Sequence, residues 1–205
     1  MKKPAFLDIE VYKDYFLAAI LLPSERILHF EMYSGKPLDT AGVQKALTQY
    51  RVVGFNSTNY DLPLLAHAMG GATCAKVKNA SDKIIVDKKW YWELNLKPYP
   101  CEHIDLMNIA PGTASLKLYG ARIHAPRLQD LPFDPAMSVS PEMRVTLAKY
   151  CDNDLYLTRQ LFDELQPSIN LREQMSQMTG LNLISAADQK IAEKLIQKDL
   201  AGGRA

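Results

Sequence analysis

The sequence predicts an α/β fold, a mixed five-stranded sheet flanked by helices, and three observations carry that expectation. Three apolar, β-prone runs near the N-terminus follow one another through connections of only a few polar residues, the pattern of an antiparallel meander. Two further strand-sized apolar runs come later, the first of them after a short helical segment. The second half is dominated by segments of helical period that open on capping residues and close on glycine.

The meander is formed by 5–11, 15–22 and 27–33, joined through 12–14 and 23–26. Gly35-Lys36-Pro37 breaks the pattern, and Asp39 or Thr40 can cap a short helix over 40–49. A buried strand is predicted over 51–56, then a helix over 61–69 with Pro63 in its first turn and Gly70-Gly71 after its last. Segment 76–100 is read as an inserted β-hairpin with strands over 83–86 and 90–96, in which six lysines surround Trp90, Tyr91 and Trp92. A last core strand is predicted over 103–107 and a short helix over 115–119. The proline-bearing stretch 125–140 reads as an ordered loop. Ser140-Pro141 opens a long helix to about residue 165, and two more helices follow over 171–179 and 186–200, the second capped by Ser185. This succession is the one expected of an RNase H-like fold.

Composition excludes more than it selects. The 205 residues, 47% apolar and 23% charged, are those of an ordinary globular protein with ample material for a core. Lys and Arg number 24 against 23 Asp and Glu, so a polyanion partner must be met by a local concentration of charge. Cys74, Cys101 and Cys151 fit neither a disulfide framework nor a zinc-site spacing, and are read as reduced thiols of a cytoplasmic protein. No signal peptide or membrane-spanning run is recognised.

Three acidic motifs carry chemistry. Asp8 and Glu10 lie two apart in the first strand, so both point to one face, where the like charges repel unless a cation sits between them. A bare DxE also suits a solvent-facing edge, but Phe6, Leu7, Ile9 and Val11 around it are core-forming. The second motif is GFNSTNYDLPLL, residues 54–65, where Asn59 or Asp61 can cap a helix while Asp61 reaches toward a metal. The third pairs Tyr150 with Asp154, i and i+4 on one helical face, while Asp152 lies on the opposite side. Taken alone, that pair better suits a solvated face on which the Tyr hydrogen-bonds the carboxylate.

Together the three motifs resemble the DEDD superfamily of 3′→5′ exonucleases, in the tyrosine-bearing branch that includes proofreading domains of bacteriophage replicative DNA polymerases. GFNSTNYDLPLL is similar to the second exonuclease motif of those domains, and Ile104–Leu106 with Ser115–Lys117 is similar to their intervening segment. The histidine-bearing branch would have His where Lys149 stands. The resemblance covers roughly residues 5–165 and implies that Asp8, Glu10, Asp61 and Asp154 hold two Mg²⁺ or Mn²⁺ ions, with Tyr150 positioning the attacking water. It implies an exonuclease domain over 1–183 and a junction helix over 184–205, leading to a polymerase domain of the same parent chain, in a monomer without membrane contact. The expected partner is the 3′ end of single-stranded DNA. Tyr12 and Phe55 are candidate base-stacking groups, and Asn56, Asn59, Lys117, Arg122, Lys88, Lys89 and Trp90 complete the candidate DNA contacts. The competing readings are a catalytically silent nucleic-acid-binding module, an RNA exonuclease of the same superfamily, and a metal-dependent phosphatase.

Overall fold

The structure, a computed structural model, describes residues 2–202. Five strands form one sheet: β1 (Pro4–Val11), β2 (Tyr15–Leu21), β3 (Ile27–Tyr33), β4 (Arg51–Gly54) and β5 (His103–Asp105), in the order β3-β2-β1-β4-β5. β1 is central, antiparallel to β2 and parallel to β4, which is in turn parallel to β5. The α/β fold with a mixed five-stranded sheet is therefore as the sequence predicts.

Strand period divides β1 cleanly. Ala5, Leu7, Ile9 and Val11 enter one core cluster, shared with buried side chains of α1 (Thr40–Gln49), α2 (Asp61–Met69) and α3 (Cys74–Ile85). Phe6 and the residue just past the strand, Tyr12, enter the other, which packs on the long helix α5 (Pro141–Glu164). Asp8 and Glu10 share the parity of Phe6, so the paired carboxylates face α5. All seven residues of β2 are buried, which explains why it reads as an unbroken apolar run rather than an alternating one.

Local chemistry sets the helix starts. The Asp39 carboxylate accepts from the Gly42 amide ahead of α1, and Thr73 caps α3. Ser115 caps α4 (Leu116–Arg122), and Ser140 caps α5, with Pro141 in the first turn. α4 lies close against α5, because a Cβ on Gly120 would come within 2.6 Å of Leu157 Cδ1. α6 (Gln166–Thr179) ends at Gly180, whose φ of +68° suits glycine, and α7 (Asp188–Gly202) follows.

Several expectations need correction. The inserted β-hairpin over 76–100 does not form: 83–85 belong to α3, and 91–94 make a 3₁₀ turn, Tyr91–Leu94. Cys74, Val77, Ala80 and Ser81 recur at helical spacing and are buried, and Lys78 pairs with Asp82 one turn on. This outweighs the β propensity of Ile84, Ile85 and Val86. α6 begins at Gln166, not 171, because Pro167 falls in the first turn, where its missing N–H costs no hydrogen bond. Ser185 caps nothing; its hydroxyl accepts from the Asp105 amide (3.1 Å) and donates to the His103 carbonyl (3.0 Å), and α7 starts at Asp188. β4 ends at Gly54. α2 has Tyr60 at its N-cap without a side-chain cap bond, so neither Asn59 nor Asp61 caps it.

The segment leading into α7 is tied to the main body. Leu183 is fully buried, Ile191 is buried, and Arg172 of α6 pairs with Asp188. Farther along α7, Ile196 is 60% exposed and Leu200 65%. No helix among the described residues is long and apolar enough to cross a membrane.

Candidate metal centre

β1, the β4–α2 connection and α5 bring the three acidic motifs to one place. Asp8, Glu10, Tyr150 and Asp154 line a cleft of about 750 Å³, whose other walls include Tyr60, Ile85 and Leu131. Asp61 is buried at the first turn of α2, close enough for its charge to act on Glu10, while Asp8 acts on it in turn. The ligand atoms of Asp8, Glu10 and Cys151 lie within 4.8 Å of one another. Asp61 and Asp154 stand outside that tight group.

The electrostatics of these groups is unusual for carboxylates. Burial, reinforced by the charge of Asp154, pushes Asp8 up to about 7, although a hydrogen bond from the Cys151 thiol (3.2 Å) opposes the rise. Glu10 is raised well above the usual range by burial, then by Asp8, Asp154 and Asp61, with Lys117 opposing. Asp61 is raised likewise by burial and by the charges of Asp8 and Asp105. Burial raises Asp154 as well, while its contacts with Tyr150 and Asn153 and the charge of Lys117 act against it. None of the four carboxylates makes an ion pair among the described residues. The site concentrates negative charge without a cationic side chain in direct contact to balance it.

Tyr150, one turn before Asp154, is held protonated by burial and by the neighbouring charges of Asp154 and Glu10. Lys117 stands at the rim, its Nζ 5.8 Å from the centre of the Tyr150 ring and 3.3 Å from Asp130.

Two residues at this site were not singled out by their sequence motifs. Asp105, fully buried at the end of β5, accepts from the backbone amides of Asn56 (2.8 Å), Thr58 (2.9 Å) and Met107 (3.2 Å). It thereby shapes the turn that leads to Asp61. Cys151 is fully buried beneath Asp8, and burial with three neighbouring carboxylates drives its thiol strongly toward the protonated form. It acts here as a hydrogen-bond donor rather than as a soft metal ligand. A signal for it existed in its spacing, three residues before Asp154 on an inward helical face.

The candidate DNA contacts scatter. Tyr12 is fully buried and its hydroxyl donates to the Phe133 carbonyl (3.2 Å), so it has no free ring face for a base. Phe55 packs edge-on against Tyr119, and the Arg122 guanidinium lies over the Tyr119 ring. Asn56 adopts a left-handed backbone, φ +58°, and accepts from the Asn59 side chain (3.1 Å). Both asparagines thus shape the turn rather than the cleft wall. Lys88, Lys89 and Trp90 are exposed on the connection after α3. Asp152 turns away from the centre, as its helical position requires, and meets His29 at 2.6 Å.

No protein-family model, no curated protein and no solved structure matches this chain.

Proposed function

We propose that this chain is a divalent-cation-dependent 3′→5′ exonuclease that cuts DNA from the 3′ end to nucleoside 5′-monophosphates, in a proofreading setting beside a polymerase domain. The observation that carries the reading is that buried Glu10 and Asp61 and partly buried Asp8 and Asp154 gather at or beside one cleft without ion-paired cations. Such a set is stable only with protons or metal ions bound. Four carboxylates are all-oxygen donors, the preference of Mg²⁺ and Mn²⁺, and the protonated Cys151 does not alter that character. Asp8, Glu10, Asp61 and Asp154 would hold two such ions, which when bound supply water activation and stabilisation of the departing oxygen.

The chain's own groups do the rest. A cleft of about 750 Å³ accommodates a terminal nucleotide, with Ile85 and Leu131 as apolar walls for its base. Lys117 draws a phosphate toward the rim. Tyr150 keeps its proton and orients the attacking water by hydrogen bonding rather than by removing its proton. Water adds at phosphorus and loses one proton to solvent, the bond to the 3′-oxygen breaks, and that oxygen takes up a proton from solvent. The chain end keeps a 3′-hydroxyl and the nucleotide leaves with its 5′-phosphate. The preference for DNA and the proofreading setting rest on the resemblance of residues 54–65 and 104–117.

The test uses single-stranded DNA carrying a label in the phosphate before its 3′-terminal nucleotide, incubated with Mg²⁺. Label released as nucleoside 5′-monophosphate is expected. Label released as inorganic phosphate favours a phosphatase, faster release from the matched RNA favours an RNA exonuclease, and no release with either Mg²⁺ or Mn²⁺ overturns catalysis.

A further inference from the structure

α3 separates two different surfaces. Lys78, Ser81, Asp82 and Ile85 recur at helical spacing and line the carboxylate cleft, whereas Lys76, Asn79 and Lys83 point to the opposite side. There they line a pocket of about 620 Å³ together with Lys89 and Asn95, and a second pocket of about 440 Å³ adjoins it. The two share His67, Lys76, Asn95 and Leu96, and the second extends to Lys97, so they form one continuous groove.

The groove is basic in a protein that is nearly neutral. Residues 76–97 contain six lysines against Asp82, Asp87 and Glu93, whereas the whole chain carries a net charge of only +1. Among the described residues Lys76, Lys83, Lys88, Lys89 and Lys97 form no ion pair, and the Lys78 ion pair with Asp82 lies on the cleft side. Glu93, the acid in the groove, is engaged by the Trp90 amide (2.6 Å). Beside it Trp90 and Trp92 stack on each other, 4.8 Å between ring centres and 7° apart in plane, and yet remain 51% and 52% exposed. Two large aromatic rings left half in water next to free lysines offer base stacking and phosphate pairing together.

We infer that the groove behind α3, with the Trp90–Trp92 stack at its edge, is a track for single-stranded nucleic acid upstream of the cleft. This rests on the reading of the cleft as the place where a 3′ end is cut. A helix with its side chains is about 10–12 Å across. A strand whose 3′ end lies in the cleft therefore has only the width of α3 to pass before it meets Lys83 and Lys89 on the other face. Positive charge and stacking faces read no base edge, so the track holds strands of any sequence.

The test measures binding without catalysis, so it stands apart from the hydrolysis experiment. Fluorescence anisotropy of a labelled oligothymidylate about 16 nucleotides long is followed in EDTA across about 25–200 mM salt. Replacing Lys76, Lys83 and Lys89 by Gln is expected to weaken binding at least ~10-fold and make the logarithmic salt slope shallower by about 2. Trp90→Ala is expected to cost ~10-fold. The corresponding Lys→Arg triple variant keeps wild-type affinity within about twofold, since it keeps the charge. A matched Gln triple at Lys3, Lys45 and Lys190 does likewise, because those positions lie outside the groove. The inference is overturned if wild type does not bind at the lowest salt, if the Gln triple keeps the wild-type slope, or if the Arg triple loses binding as well. Equal competition by inorganic tripolyphosphate at matched phosphate concentration also overturns it, by showing a site for small anions instead of a strand.

Discussion

Asp8 shows most directly how one side chain's surroundings become a measurable property. Its carboxyl ordinarily loses its proton near pH 3.8, and burial with Asp154 nearby moves that to about 7. Between those values the folded protein binds more protons at Asp8 than the unfolded chain does, so stability falls as pH rises through the interval and levels off above it. The metal-free protein should melt several degrees lower at about pH 8 than at about pH 5, and Asp8→Asn should flatten the difference. Added Mg²⁺ should raise the melting temperature more at the higher pH, where protons no longer compete for the carboxylates; scanning calorimetry checks both. Tyr150→Phe removes only a hydroxyl and should lower the hydrolysis rate about 10- to 100-fold without loosening Mn²⁺ binding. A variant as fast as wild type would remove the role given to the phenol. Asp8 and Glu10 were legible because an acidic pair inside a core-forming strand is hard to place without a cation. Asp105 was not, since its role depends on a partner 49 residues away, and the spacing of Cys151 from Asp154 placed it on the inward face without pointing to its bond with Asp8, 143 residues away.

At the scale of elements, the turn between β4 and α2 is held by Asp105 from outside as well as by its own hydrogen bonds. Asp105→Ala leaves three backbone amides without their acceptor and should cost about 2–4 kcal/mol, measured by denaturant unfolding. Asp105→Asn keeps part of the bonding. It should therefore fold yet need more Mg²⁺ for half-maximal activity, because Asp61 is presented less firmly. Gly120→Ala places a methyl group against Leu157 and should cost about 1–3 kcal/mol by pushing α4 off α5. The strands and caps of the core were legible from period and polar punctuation, as at Asp39 and Ser140, whereas Ser115, read as the first residue of a helix, is its cap. α3 was not, because Ile84, Ile85 and Val86 carry β propensity while the burial that selects a helix comes from Cys74, Val77 and Ala80, packed on tertiary neighbours. The error placed the lysines on a hairpin, and only the helix shows that they divide between two faces.

For the whole molecule, the central strand of the sheet also carries part of the site. β1 contributes its apolar parity to one core and its acidic parity to the cleft, and α5 contributes Tyr150 and Asp154 from across it. The last helices join this body through Arg51, whose guanidinium pairs with Glu102 (2.6 Å) and with Glu173 of α6 (2.5 Å). Arg51→Ala should cost about 3 kcal/mol by leaving mostly buried Glu173 unpaired. The near-zero net charge gave no hint of the division between an acidic cleft and a basic groove, since opposite local excesses cancel in the sum. The most direct measurement of the central claim is a time course on 5′-labelled single-stranded DNA with Mg²⁺, with EDTA, and with Asp8→Ala. The account predicts a ladder shortening from the 3′ end that needs the metal and is absent in the variant. A ladder unaffected by EDTA, equal degradation by Asp8→Ala, or intact DNA with wild type in both Mg²⁺ and Mn²⁺ would contradict it.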